Sequence, residues 1–177
     1  ERIDAGGASA EDYLTRALLW ADRGRPDLAE ADYAEAIRLE PEWRTAWLNR
    51  GNLRRAAGQL NEALDDLNRA VQLAPLDPLP YFSRGLVMLD LGQTRRAYDE
   101  FGLALRVDPN HAGARFNRSA VALALGIEGA AADAEAYLAL VGWYETLSPY
   151  AAMLAALEHR RDGRVEQSNG LLEASAR

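Results

Sequence analysis

The chain matches itself at a step of 34 residues, and that period constrains its fold more than any other feature. Asn49-Arg50-Gly51 recurs as Ser83-Arg84-Gly85 and as Asn117-Arg118-Ser119. Gly24, Gly58, Gly92 and Gly126 keep the same step, as do Pro41, Pro75 and Pro109. The best-formed copy, Arg44 to Asp77, reads as two amphipathic helices joined by a Gly-containing turn and closed by a proline. A period of about 20 to 50 residues marks a stack of supersecondary units, none of which buries its apolar face without a neighbour.

Phasing the copies partitions the chain. Residues 1–9 read as a flexible lead-in, and the units then run 10–43, 44–77, 78–111, 112–148 and 149–177. The chain opens on Glu1 and not on methionine, which reads as a piece of a longer or processed product. Ser9 with Asp12 three residues on is a weak capping box for the first helix. Small residues recur where paired helices would cross, at Ala17, Gly51, Gly85 and Ser119 and at Ala29, Ala63 and Ala97. The fourth unit drifts: without a gap, Glu135 falls at the inward position of Tyr33, Leu67 and Phe101. Three extra residues after Gly126 place Ala134, Leu138 and Val141 inward instead, and Trp143-Tyr144 replaces the usual closing proline. The fifth unit is truncated.

Composition excludes several classes. There is no cysteine, hence no disulfide and no thiolate metal site. All 20 basic residues are arginine and the net charge is −7, which argues against nucleic-acid binding through clustered cations. No apolar run approaches the roughly 20 residues that span a bilayer, so membrane insertion is not expected.

With these residues in view, the unit resembles the tetratricopeptide repeat (TPR). Its signature is an aromatic at the fourth position, a small residue at the eighth, glycine at the fifteenth, alanine at the twentieth and twenty-seventh, and proline at the thirty-second. Trp47, Gly51, Gly58, Ala63, Ala70 and Pro75 match it, as do Tyr81, Gly85, Gly92, Ala97, Ala104 and Pro109. Tyr13, Ala17, Gly24, Ala29, Ala36 and Pro41 fit nearly as well. The resemblance implies an all-α, right-handed α-solenoid of stacked antiparallel helix pairs. The first helix of each pair would line a concave groove that holds a peptide or partner protein. It implies a scaffold and not an enzyme, with no cofactor and no metal.

Carried over position by position, the groove comprises Leu14 and Leu18; Leu48, Asn49, Asn52 and Arg55; Phe82, Ser83 and Leu86; and Phe116 and Asn117. The amides suit the backbone of a bound peptide, and Leu48, Phe82 and Phe116 suit apolar anchors. Adaptors of this family for chaperone tails carry a cationic clamp. Here Leu14, Leu18, Leu79 and Ser83 occupy clamp positions and only Asn49 agrees, so that subclass is not expected.

Three further patterns complete the reading. Arg16, Arg50, Arg84 and Arg118 recur at the seventh position, each followed about sixteen residues later by an acid (Asp32, Asp66, Glu100, and Asp133 or Glu135). That reads as a structural ladder between helices. Glu11, Asp12 and Asp22 make the first turns acidic, whereas His159, Arg160, Arg161 and Arg164 make the last ones basic, which would orient a ligand with an acidic end. His111 reads as a solvated loop residue, and Trp20, Trp47, Tyr81 and Phe101 read as core. The function expected is a peptide- or protein-binding scaffold. The rivals are a self-assembly module forming a homo-oligomer through its ends, and the regulatory segment of a larger protein.

Overall fold

The computed structural model describes residues 8–143 and 145–176. Residues 1–7 of the lead-in, Tyr144 and Arg177 lie outside the described residues. Ten α-helices follow one another among those described: α1 (Ala10–Asp22), α2 (Pro26–Leu39), α3 (Arg44–Ala56), α4 (Leu60–Leu73), α5 (Pro78–Asp90), α6 (Thr94–Val107), α7 (Ala112–Leu125), α8 (Ala130–Val141), α9 (Ser148–Arg161) and α10 (Val165–Ser175). The chain is all-α. Each odd-numbered helix opens a pair, and none among the described residues is long and apolar enough to cross a membrane. Contacts group the chain into two compact units, one ending at Val87 and one beginning at Met88.

In the first unit the local chemistry sets each helix end. Ser9 caps α1 in a complete box: its hydroxyl accepts from Asp12 N at 3.1 Å, and its own N–H donates to the Asp12 carboxylate at 2.9 Å. Pro26 starts α2, where its missing N–H costs nothing. Gly58 turns the chain between α3 and α4 with φ 76°, a conformation that side chains with a Cβ avoid. α1 packs on α2, α2 on α3 and α3 on α4. Leu14, Ala17, Ala29, Tyr33, Ala36, Ile37 and Ala46 form one buried cluster, braced by Tyr13, Trp20, Trp43 and Trp47. At the α3–α4 crossing only glycine fits: a Cβ on Gly51 would lie 2.9 Å from Leu67 Cγ and 3.3 Å from the Ala63 carbonyl oxygen.

In the second unit, α6 packs on α7, α7 on α8, α8 on α9 and α9 on α10, and α7 also touches α9. Phe101, fully buried, anchors α6, and burying a ring of that size contributes about 1.5–3 kcal/mol. Ala131, Ala134, Tyr137, Leu138, Ala151, Ala152 and Ala155 form the second core cluster, with Phe116, Val141 and Leu171 packed against it. Ala134 and Leu138 thus face inward with Val141 beside them, while Glu135 points outward, half exposed. The extra length of the fourth pair is divided between two connections. Leu125 and Ala130 bound a turn one residue longer than its equivalents, and Val141 and Ser148 bound a loop two residues longer.

Candidate functional site

The surface that can meet a partner is defined by what the helix pairs spend on holding themselves together. The largest share goes to the arginine ladder. Arg16 donates to Asp32 through Nε and Nη2 at 2.7 and 2.6 Å, and Arg50 donates to Asp66 in the same bidentate way at 2.8 Å each. Arg118 repeats it on Asp133 at 2.6 and 2.7 Å. Arg84 donates to Asn68 at 2.9 Å. The carboxylates raise the Arg16 and Arg118 guanidinium groups above their ordinary pKa, through direct hydrogen bonds that outweigh desolvation. Asp66 takes a second cation as well, since Arg54 donates to it at 2.9 Å and reaches Glu30 at 2.9 Å.

Each rung also has an aromatic partner. The guanidinium carbons of Arg16, Arg50 and Arg84 sit 5.3, 5.1 and 5.6 Å from the ring centres of Tyr13, Trp47 and Tyr81, three residues earlier on the same helix. In the fourth unit that place is held by Arg115, and Tyr98 of α6 serves Arg118 instead at 5.9 Å. The fourth-position side chain has a further task, which periodicity alone did not reveal. Trp47 Nε1 donates to the Pro41 carbonyl at 2.9 Å, the Tyr81 hydroxyl to Pro75 at 3.2 Å, and Arg115 Nε to Pro109 at 2.9 Å. The slot asks for a donor six residues after the closing proline, and an aromatic ring is one way of supplying it.

The groove positions divide by exposure. In the first unit Leu14, Leu48 and Ser83 are buried, so they support the surface from beneath. Leu18 is 46% exposed, and Asn49, Asn52, Arg55, Phe82 and Leu86 are half-buried. Among the described residues, the Asn49 and Asn52 side chains have no hydrogen-bonding partner of their own. In the second unit Phe116 is held against Tyr137, with ring centres 5.4 Å apart. Asn117 commits one N–H to the Gly113 carbonyl at 2.8 Å.

The basic cluster at the end of α9 is largely matched internally. His159 is buried, with Nε2 2.6 Å from Glu135 Oε1. Arg161 donates to Glu158 at 3.0 Å, and Arg164 to Asp162 at 2.8 Å, which holds the Asp162 carboxyl below its ordinary range. Arg160 alone of the four reaches neutral groups, Ser168 Oγ at 3.1 Å and Asn169 Oδ1 at 3.3 Å. Glu158, 2% exposed, serves as the N-terminal cap of α8, accepting from Gly129 N at 2.9 Å and from Ala131 N. His111 is a cap as well and not a free loop residue: its Nδ1 accepts from Ala114 N at 3.1 Å at the start of α7. No group of three or more His, Asp or Glu among the described residues is arranged to hold a metal ion.

Residues 51–92 match the family model of the TPR repeat. Comparison with curated protein sequences gives no match. Among solved structures, the crystal structure of MamA superposes with a TM-score of 0.78 at 17% identity, covering 99% of this chain and 95% of that one. YrrB, described as a TPR protein with an unusual peptide-binding site, gives 0.74 at 20% identity, covering 94% and 84%. The first TPR of Spaghetti (RPAP3), bound to the HSP90 peptide SRMEEVD, gives 0.64 at 21% identity over 67% of this chain and 94% of its own. At these identities the likeness is one of fold.

Proposed function

We propose that this chain, a tetratricopeptide-repeat protein of about five helix pairs, is a non-catalytic scaffold that holds a peptide or a partner's segment along its odd-numbered helices. The observation that carries the reading is the pair Asn49 and Asn52. Arg16, Arg50 and Arg118 are each held by a carboxylate within the fold, yet these two amides stand half-exposed on α3 with no partner among the described residues. A side-chain amide offers both a donor and an acceptor, which is what the backbone of an extended peptide can use whatever its sequence. Leu18, Arg55, Phe82 and Leu86 give that surface apolar and charged neighbours, and Leu14, Leu48 and Ser83 fix it from below. In the second unit Phe116 and Asn117 are the corresponding positions.

Preorganisation is the mechanism. The helices are held by the ladder before any ligand arrives, so binding orders the ligand and not the scaffold. Two of the similar structures are described by their peptide binding, which supports this reading of the fold. The test is selection of displayed random peptides on the wild-type chain, followed by rebinding to an Asn49→Ala, Asn52→Ala variant. The variant is expected to keep its melting temperature and to bind the selected peptides at least about tenfold more weakly. Equal binding by the variant places the contact elsewhere and removes α3 from the function. Recovery of no peptide at all defeats the scaffold reading for extended segments.

A further inference from the structure

α10 carries an Asn-Gly step, Asn169-Gly170, whereas every other asparagine of the chain is followed by Arg, Leu, Glu or His. The following residue matters because its backbone nitrogen can attack the asparagine side-chain carbon, and a missing Cβ leaves that approach open. Both residues are exposed, and a Cβ on Gly170 would meet nothing within 4 Å. An ordered helix opposes the attack, since it directs the Gly170 N–H at the Glu166 carbonyl. Among the described helices α10 is the least able to enforce that order. It buries Ser168 alone, has no side-chain cap at its N-terminus and holds glycine at its centre.

The Asn169 side chain is also held in a way that suits reaction. Arg160 donates from Nη2 to Asn169 Oδ1 at 3.3 Å, and is itself fixed through Nε to Ser168 Oγ at 3.1 Å. A cation on a carbonyl oxygen withdraws electron density from the carbon and stabilises the negative charge that gathers on oxygen as a nitrogen adds. Ser168 is fully buried, so this bracket is anchored ahead of the point where α10 has to open. Opening beyond it frees the Gly170 nitrogen at the cost of the half-buried contacts of Leu171 and Leu172.

We propose that Asn169 is a self-modification site, an intramolecular deamidation assisted by Arg160 and gated by fraying of the second half of α10. It stands independently of the peptide-binding reading. In the frayed helix the Gly170 nitrogen gives its proton to solvent base and bonds to Asn169 Cγ. The Cγ–Nδ2 bond breaks, and the amide nitrogen takes up a proton from solvent and leaves as ammonia. Water then opens the cyclic imide at one of its two carbonyl carbons. Cleavage at Cγ restores a normal backbone with aspartate at position 169, whose carboxylate meets Arg160 as a new ion pair. Cleavage at the main-chain carbon leaves isoaspartate, whose extra backbone methylene breaks the helix ladder and draws Leu171 away from the second core cluster. Neither product returns to asparagine, and nothing is oxidised or reduced.

The test incubates the full chain in mildly alkaline buffer and follows each asparagine by mass spectrometry after digestion, with isoaspartate detected by an isoaspartyl methyltransferase. Hydrogen exchange at Leu171 measures the opening of α10 in each variant, so that rates are compared at equal opening. Asn169 is expected to convert before any other asparagine, and Gly170→Ala to stop it. Corrected for opening, Arg160→Gln should slow conversion about tenfold, and Arg160→Lys, which keeps a cation, should recover part of that loss. In concentrated urea, where the helix is gone, wild type and Arg160→Gln should convert at one rate. Conversion of another asparagine ahead of Asn169 overturns the proposal. So does a corrected rate that Arg160→Gln leaves unchanged, a loss that Arg160→Lys does not mend, or a difference between the variants that persists in urea.

Discussion

Asp66 is the residue on which most of the first unit's polar order converges. Its side chain is 2% exposed and it receives Arg50 and Arg54 together. Removing it leaves Arg50, 12% exposed, without a counter-charge and Arg54 with Glu30 alone, so Asp66→Ala is expected to cost about 3 kcal/mol in urea unfolding. Asp32→Ala should cost about 1 kcal/mol, because Arg16 opposite it is 42% exposed and water recovers its charge. Two glycines give a second contrast. Gly51→Ala forces a Cβ into Leu67 and should cost about 1–3 kcal/mol, whereas Gly170→Ala, in a helix with nothing within 4 Å, should stabilise by roughly 0.5–1 kcal/mol. Matched thermal melts of the two variants check both signs.

At the scale of elements, helix ends decide what the sequence could disclose. The ends of α2, α4 and α6 were legible because glycine and proline punctuate every copy, and the rungs on Asp32 and Asp66 were legible because they repeat with the period. Contacts that occur once carry no such signal. Glu158 caps α8 from 27 and 29 residues away, at a position where Val87 and Val121 are buried in earlier pairs, so pattern alone would have marked it as apolar. Tyr98 replacing the missing aromatic beside Arg118 is equally unrepeated. Among the groove positions, burial of Leu14 and Leu48 depends on side-chain packing that a position rule cannot express.

Two predictions belong to this scale. Glu158→Gln keeps the shape but loses the charge facing the α8 N-terminus, so it should cost about 1–2 kcal/mol and raise hydrogen exchange first at Gly129 and Ala131. At α1, Ser9 holds the Asp12 carboxyl below its ordinary value of 3.8 by donating to it first from its backbone N–H and then from its hydroxyl. A depressed folded value means that the box contributes above the unfolded value and is lost as pH falls through the folded one. The first turn of α1 should therefore fray only at pH below 3.8, seen as a downfield-to-random-coil shift of the Asp12 amide, and Ser9→Ala, which removes the hydroxyl but keeps the backbone N–H, should move the titration only part of the way back to its ordinary position.

Across the whole molecule, stability in a repeat array is carried by each unit and its immediate neighbours. Asp66→Ala is thus expected to lower exchange protection in α3 and α4 while leaving α9 and α10 unchanged. A uniform loss over all ten helices would show a single cooperative block instead. The distribution of tryptophan makes such locality visible without labels. Trp20, Trp43 and Trp47 all brace the first core cluster, and only Trp143 lies in the second unit. Intrinsic emission is consequently a spectroscopic reporter weighted three to one toward one half of the chain. A ligand that engages α3 should shift it, and a ligand confined to α9 should leave the signal of the first three indoles unmoved.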